Sequence, residues 1–182
     1  MGVAIGSLEL NSIATGVIAG DAMLKAADVQ LIMAQPVCPG KFIILISGDT
    51  ASVEASIKAG TAEGAERVID STVIPSIHEE VIPAILRSSA PDQKEAVGVI
   101  ETFSLTAAIL AADYAVKSSI IDLIEVRLGR GLGGKSFVLV TGAVADVKSA
   151  TEAAKAQLAK DGMIINIVVV PHLHNEMYQA LM

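Results

Sequence analysis

Ala4-Ile5-Gly6-Ser7-Leu8-Glu9 and Ala96-Val97-Gly98-Val99-Ile100-Glu101 are one segment written twice, about 92 residues apart, and a repeat at a fixed spacing governs how the rest of a chain is read. Asp21 and Lys25 return as Asp113 and Lys117, Gly40-Lys41 as Gly134-Lys135, Gly48 as Gly142, and Pro75 with His78 as Pro171 with His174. The spacing grows to about 94 at Gly40 and about 96 at Pro75. Short insertions in the second copy therefore fall between Met33 and Gly40 and again before Pro75, where loops absorb them. Two copies of one small domain fill the chain: residues 1–87 are the first, 88–95 a polar linker carrying Pro91, and 96–182 the second.

Each copy has the same local pattern. Val3 to Leu10 mixes β-branched and aliphatic residues and reads as a strand; Ser12 stands where a helix N-cap belongs, ahead of a helical stretch to Ala27. Ile13, Val17, Gly20 and Leu24, spaced by three and four, recur as Leu105, Ile109, Ala112 and Val116, and this stripe is expected to face inward in both copies. Val29 to Met33 and Phe42 to Ile46 are short apolar runs joined by a Pro- and Gly-containing loop that reads as a stiff turn. Asp49 or Thr50 is placed to cap a second helix with an inward stripe of Val53, Ile57, Gly60 and Gly64. Asp146 is placed to cap its counterpart, with Val147, Thr151, Ala154 and Leu158. Last strands at Val68 to Ile74 and Ile164 to Val170, and terminal helices at about His78 to Leu86 and His174 to Leu181, complete the copies. The order strand, helix, strand, strand, helix, strand predicts an α+β, ferredoxin-like sandwich with helices on one sheet face.

Composition narrows the function. A domain of roughly 85 residues buries only a moderate share of its surface, so each half is expected to lean on the other or on further copies. Apolar residues make up 52% of the chain while aromatics are 3% and Trp is absent; the core is aliphatic, and the mean hydropathy of +0.60 without any run of roughly 18 apolar residues points to subunit contact rather than a membrane. No signal-like segment opens the chain, so a cytoplasmic location is expected. A net charge of −7 repels phosphate backbones and argues against nucleic-acid binding. A single cysteine makes no internal disulfide.

The opening Ala-Ile-Gly-x-Leu-Glu, the Asp-Ala-x-x-Lys-Ala-Ala-x-Val of the first helix, Gly-Lys after a loop, and Pro-x-x-His near each end resemble the bacterial microcompartment (BMC) shell-protein family, over almost the whole chain. Pro36-Val37-Cys38-Pro39-Gly40-Lys41 and the unpermuted tandem order resemble the iron–sulfur-binding tandem members of propanediol-utilisation microcompartments. Where family members often carry Arg and Pro inside Pro-x-x-His, this chain has Ser76-Ile77 and His172-Leu173. The resemblance implies two tandem BMC domains and a trimer that forms a pseudo-hexameric tile around a central pore. Pro36, Val37, Pro39 and Gly40 of the first copy and Gly131, Leu132, Gly133 and Gly134 of the second would line that pore. Lys25 and Lys117, four residues after Asp21 and Asp113, read by themselves as solvated ion pairs; the resemblance places them at the tile edge.

An isolated cysteine is commonly a small buried hydrophobe. A three-fold axis would turn Cys38 into three converging thiolates, and soft thiolates select iron–sulfur clusters, zinc or copper(I). Spacing leaves zinc open; the resemblance picks one [4Fe–4S] cluster per trimer, ligated by Cys38 of three chains, with other shell proteins and a redox enzyme or electron carrier as partners. Gly134-Lys135-Ser136 lacks the spacing of a nucleotide loop and follows a strand instead of opening a helix, so it reads as flexible pore lining. Glu9, Glu101, His78 and His174 recur at strand and helix ends, where structural hydrogen bonding is expected, and no nucleophile–base–orienter set emerges. The leading expectation is a non-enzymatic shell tile with an electron-transferring cluster. A passive metabolite-transport tile and a trimeric small-molecule-sensing domain are the alternatives.

Overall fold

β1 (Ala4–Leu10) is buried along its whole length and is an inner strand between β3 (Lys41–Gly48) and β4 (Val68–Ile74), with β2 (Gln30–Val37) at the edge beyond β3. The sheet is antiparallel throughout, in the order β2-β3-β1-β4. The structure is a computed structural model and describes residues 3–91, 95–129, 131–159 and 162–181. One face of this sheet carries α1 (Ile13–Ala26) and α2 (Thr50–Gly64). Alternate strand residues Ala4, Leu8, Leu10, Phe42, Ile44 and Ile46 meet Ala19 and Met23 of α1 and Val53 and Ile57 of α2 in one aliphatic core. Ser12 and Asp49 cap the two helices, their side chains accepting from the backbone N–H of Thr15 and Ser52.

The second copy repeats the plan with β5 (Ala96–Thr102), α4 (Leu105–Ser118), β6 (Ile121–Leu128), β7 (Ser136–Gly142), α5 (Val144–Leu158) and β8 (Ile164–Val170), in the order β6-β7-β5-β8. The α+β, ferredoxin-like reading of each copy holds. The chain divides into units of residues 1–77 and 78–182. The repeat would end its first copy with the short helix α3 (Val81–Ile85), but α3 packs in the second unit, on β6 and against α4. Its counterpart α6 (Asn175–Leu181) closes the chain and buries no residue.

Three local expectations are corrected. In α1 the residues facing the sheet are Gly16, Ala19 and Met23, while Ile13, Val17 and Leu24 of the expected inward stripe are exposed; the small residues let helix and sheet approach closely, and the larger aliphatics lie on another face. In α4 the stripe Leu105, Ile109, Ala112 and Val116 is buried as expected, together with Ala108, Ala111 and Ala115. Pro36 belongs to β2, opposite Phe42, and not to a turn: an edge strand tolerates a residue without an N–H. Finally, Asp146 lies inside the first turn of α5, whose N-cap is Ala143 with no side-chain hydrogen bond.

Candidate functional site

The Cys38 loop is the tip of the β2–β3 hairpin. Pro36 and Val37 end β2, and Val37 is buried. Cys38-Pro39 is a cis peptide, and the N–H of Gly40 donates to Val37 O at 3.1 Å to close the turn. Gly40 has φ +83°, a conformation that favours glycine, and a Cβ there would meet nothing within 4 Å. The turn is fixed from behind: Lys41 Nζ lies 2.7 Å from Oε1 of the fully buried Glu9. Oε2 of Glu9 is buried without a protein hydrogen-bond partner among the described groups. Cys38 itself is half-buried and carries a free thiol.

The matching hairpin of the second unit has no thiol. Gly129, Gly131, Gly133 and Gly134 all take positive φ, and Lys135 N–H closes a turn on Leu132 O at 3.2 Å. Gly131 and Gly133 face open space, Leu132 is half-buried and Gly134 buried. Lys135 leads into β7 and not into a helix, so the loop lacks the strand-to-helix geometry of a nucleotide loop. One chain does not assemble a metal centre: among the described residues no three His, Cys, Asp or Glu side chains converge. A cluster at Cys38 therefore needs thiolates from other copies. The half-buried thiol on an open, anchored turn fits a ligand set shared between copies.

The two lysines expected at the edge occupy different surroundings. Lys25 and Asp21 form an exposed i,i+4 pair, of a kind worth a few tenths of a kcal/mol. Asp113 is almost fully buried: its Oδ2 takes Lys117 at 2.6 Å while its Oδ1 accepts the His78 N–H at 2.9 Å. The histidines act in turns, as expected. His78 Nδ1 accepts from Glu80 N–H at 3.4 Å and His174 Nδ1 from Glu176 N–H at 3.3 Å. Sequence reasoning missed Glu80, whose Oε2 accepts the Leu123 N–H of β6 at 3.0 Å. The recoverable signal was His-x-Glu, present at both tails. Buried Glu125 has no acidic counterpart in the first copy; it takes a two-pronged contact from Arg127, at 2.8 and 2.9 Å, and Arg87 at 3.2 Å. The depression beside α3, about 450 Å³, is lined by Glu79, Glu80, Pro83, Ser88, Asp122 and Leu123 among others, with no His, Cys or Lys among the described lining residues.

Comparison with known proteins agrees with this geometry. The BMC domain matches residues 4–77 and 96–173. The bacterial microcompartment shell protein PduT of Citrobacter freundii is 42% identical across all of this chain and 98% of its own length. The carboxysome shell protein CsoS1C of Hydrogenovibrio crunogenus is 38% identical over 97 residues, half of this chain and 94% of that protein, so one copy here corresponds to a whole relative there. A solved microcompartment protein from Desulfitobacterium hafniense superposes with a TM-score of 0.94 at 45% identity, covering 98% of this chain and 99% of that one. Among the described residues no helix is long and apolar enough to cross a membrane. The chain belongs to the BMC-domain family of bacterial microcompartment shell proteins and carries two copies of the domain in tandem.

Proposed function

We propose that the chain is a structural tile of a microcompartment shell in the cytoplasm, that three copies close into a pseudo-hexameric ring, and that their Cys38 turns meet around the central pore to hold one [4Fe–4S] cluster. The observation that supports the redox part is the position of Cys38: a half-buried thiol on an anchored hairpin tip, with no three potential ligands converging among the described residues of a single copy. A bound cluster supplies one-electron redox chemistry; the chain supplies thiolates, a rigid turn and partial exclusion of water. Electrons would pass across the shell to a redox enzyme or carrier. The full-length likeness to a shell protein supports the tile over the small-molecule-sensing reading. Lys25 and Lys117 are assigned to lateral contacts with other shell proteins.

A passive transport tile is the second reading, favoured by the open, glycine-built loop of the second copy. Anaerobic purification from iron-replete cells separates the two. The redox reading expects a brown protein with broad absorbance near roughly 400 nm and about four irons per three chains, all lost in Cys38→Ala while the assembly persists. Zinc in place of iron, or unchanged iron in Cys38→Ala, leaves the passive tile.

A further inference from the structure

Both copies carry a glutamate near the end of the first strand and a lysine where the hairpin returns, Glu9 with Lys41 and Glu101 with Lys135. In the copy that holds the thiol they meet. Lys41 Nζ lies 2.7 Å from Glu9 Oε1, with the Glu9 side chain fully buried and that of Lys41 only 23% exposed. In the other copy Glu101 is half-buried and Lys135 exposed. The register says which way Lys41 leans. Val37 faces Lys41 in the last pair before the turn, and Glu9 faces Ile43, one step further into the sheet. Positions 41 and 43 of one strand share a face, so a Lys41 side chain that reaches Glu9 points into the sheet and away from the Cys38 tip. A buried ion pair with one carboxylate oxygen unpartnered among the described groups contributes little net stability. What it fixes is the place of a charge.

We infer that Glu9 is a positioning residue for the Cys38 site: it draws the Lys41 ammonium off the turn and balances its charge, so that three turns meet at one axis without three free cations beside their thiolates. The inference deepens the cluster reading above and rests on it. Lysine is a compact charge on a flexible four-carbon stem, and a Lys41 released from Glu9 would pair with the nearby thiolate and compete with iron for the sulfur. A positive charge left beside a bound cluster also favours the more negative, reduced form, which raises the potential. The second hairpin has no thiol to protect, and its lysine is exposed.

The test uses the full chain, prepared anaerobically as wild type, Glu9→Gln, Glu9→Gln with Lys41→Met, and Glu101→Gln, with iron content and midpoint potential as the readings. Glu9→Gln keeps the shape of the side chain and removes its charge; it should lose most of its iron and raise the potential of the clusters that remain. The double variant carries neither charge and should return both readings to wild type, which a loss of packing alone would not do. Glu101→Gln should leave both as they are. A second measurement needs no variant at Glu9 and decides the matter if Glu9→Gln fails to fold: acetylation of lysines by acetic anhydride, followed by mass spectrometry. Lys41 should label several-fold more slowly than Lys25, whose side chain is 73% exposed, and should stay slow in Cys38→Ala, where no thiolate is left to hold it. Wild type without iron defeats the cluster reading and this inference with it. Iron-loaded wild type beside a Glu9→Gln of unchanged iron and potential, a double variant that stays low in iron, an equal effect in Glu101→Gln, or Lys41 labelling as fast as Lys25 overturns the role of Glu9 and leaves the cluster standing.

Discussion

α1 and α4 are the same helix in two copies, and their burial differs. Both are 14 residues long, but α4 buries ten of them and α1 three. Each lays one face on the sheet: Gly16, Ala19 and Met23 in one, Ala108, Ala111 and Ala115 in the other. The difference is the second stripe, Leu105, Ile109 and Val116 covered, Ile13, Val17 and Leu24 uncovered. Each domain finishes its own core with one helix face and carries a second apolar stripe on another. The exposed aliphatics of α1 are the same construction as α4 without its cover.

The sharpest way to break that comparison is to cut equivalent side chains. Ile109 is fully buried, and Ile109→Ala should cost about 2–5 kcal/mol of unfolding free energy. Val17, its counterpart, is 58% exposed, and Val17→Ala should change the unfolding of single chains by less than about 0.5 kcal/mol. Urea unfolding of both variants, measured at low chain concentration, checks this. Equal losses would mean that the two helices are covered alike.

The element order was legible because strand and helix periods alternate cleanly. β4 and β8 run over Val68–Ile74 and Ile164–Val170, as read. The inward face of α1 was not legible, because a hydrophobic stripe records burial without saying by what. Ile13, Val17 and Leu24 outweigh Gly16 and Ala19 in any hydropathy count, yet close helix–sheet packing selects the smaller residues. The placement of α3 escaped for a related reason: its partner, β6, lies some forty residues onward, as the Glu80–Leu123 bond shows, and no local pattern encodes that. At the hairpin tips, Cys38 and the glycines were readable as loop residues, while Pro36 was hidden in an edge strand that sequence alone does not distinguish from a turn.

A smaller effect comes from compensated volumes. Gly60 of α2 packs so closely that an added Cβ would lie 2.4 Å from Met23 Cγ and 2.9 Å from Leu8 Cδ2. The second copy has Ala154 at that place and Ala115 opposite it. The two copies thus fill one space in two ways, Gly with Met or Ala with Ala. Gly60→Ala alone should destabilise by about 1–3 kcal/mol through overpacking. Made together with Met23→Ala, it should cost less than the sum of the two single changes, a coupling that a double-mutant cycle measures directly. Strict additivity would show that Met23 simply swings aside.

The smallest difference lies at the start of the second helix of each copy. Asp49 caps α2, with Oδ1 accepting the Ser52 N–H at 3.0 Å, whereas Ala143 stands at the head of α5 with no side-chain cap. Hydrogen bonds from Ser52, side chain first and then backbone, hold the Asp49 carboxyl below its ordinary 3.8. A depressed carboxyl contributes stability that is complete above its unfolded pKa and is lost as pH falls through the lower folded value. Asp49→Ala should therefore lower the midpoint of unfolding at pH 7 and lose its effect in acid, below the pH at which Asp49 is protonated in the folded chain. Ala143→Asp should do the reverse in the second unit, adding about 1 kcal/mol at neutral pH, because the Ala143 backbone already has the extended ψ of 144°. A cap placed there needs no backbone movement. Thermal unfolding of the two variants at pH 7 and pH 3 measures both signs, and an Asp49→Ala penalty unchanged between the two pH values would show that packing at the helix start, and not the charged cap, distinguishes the copies.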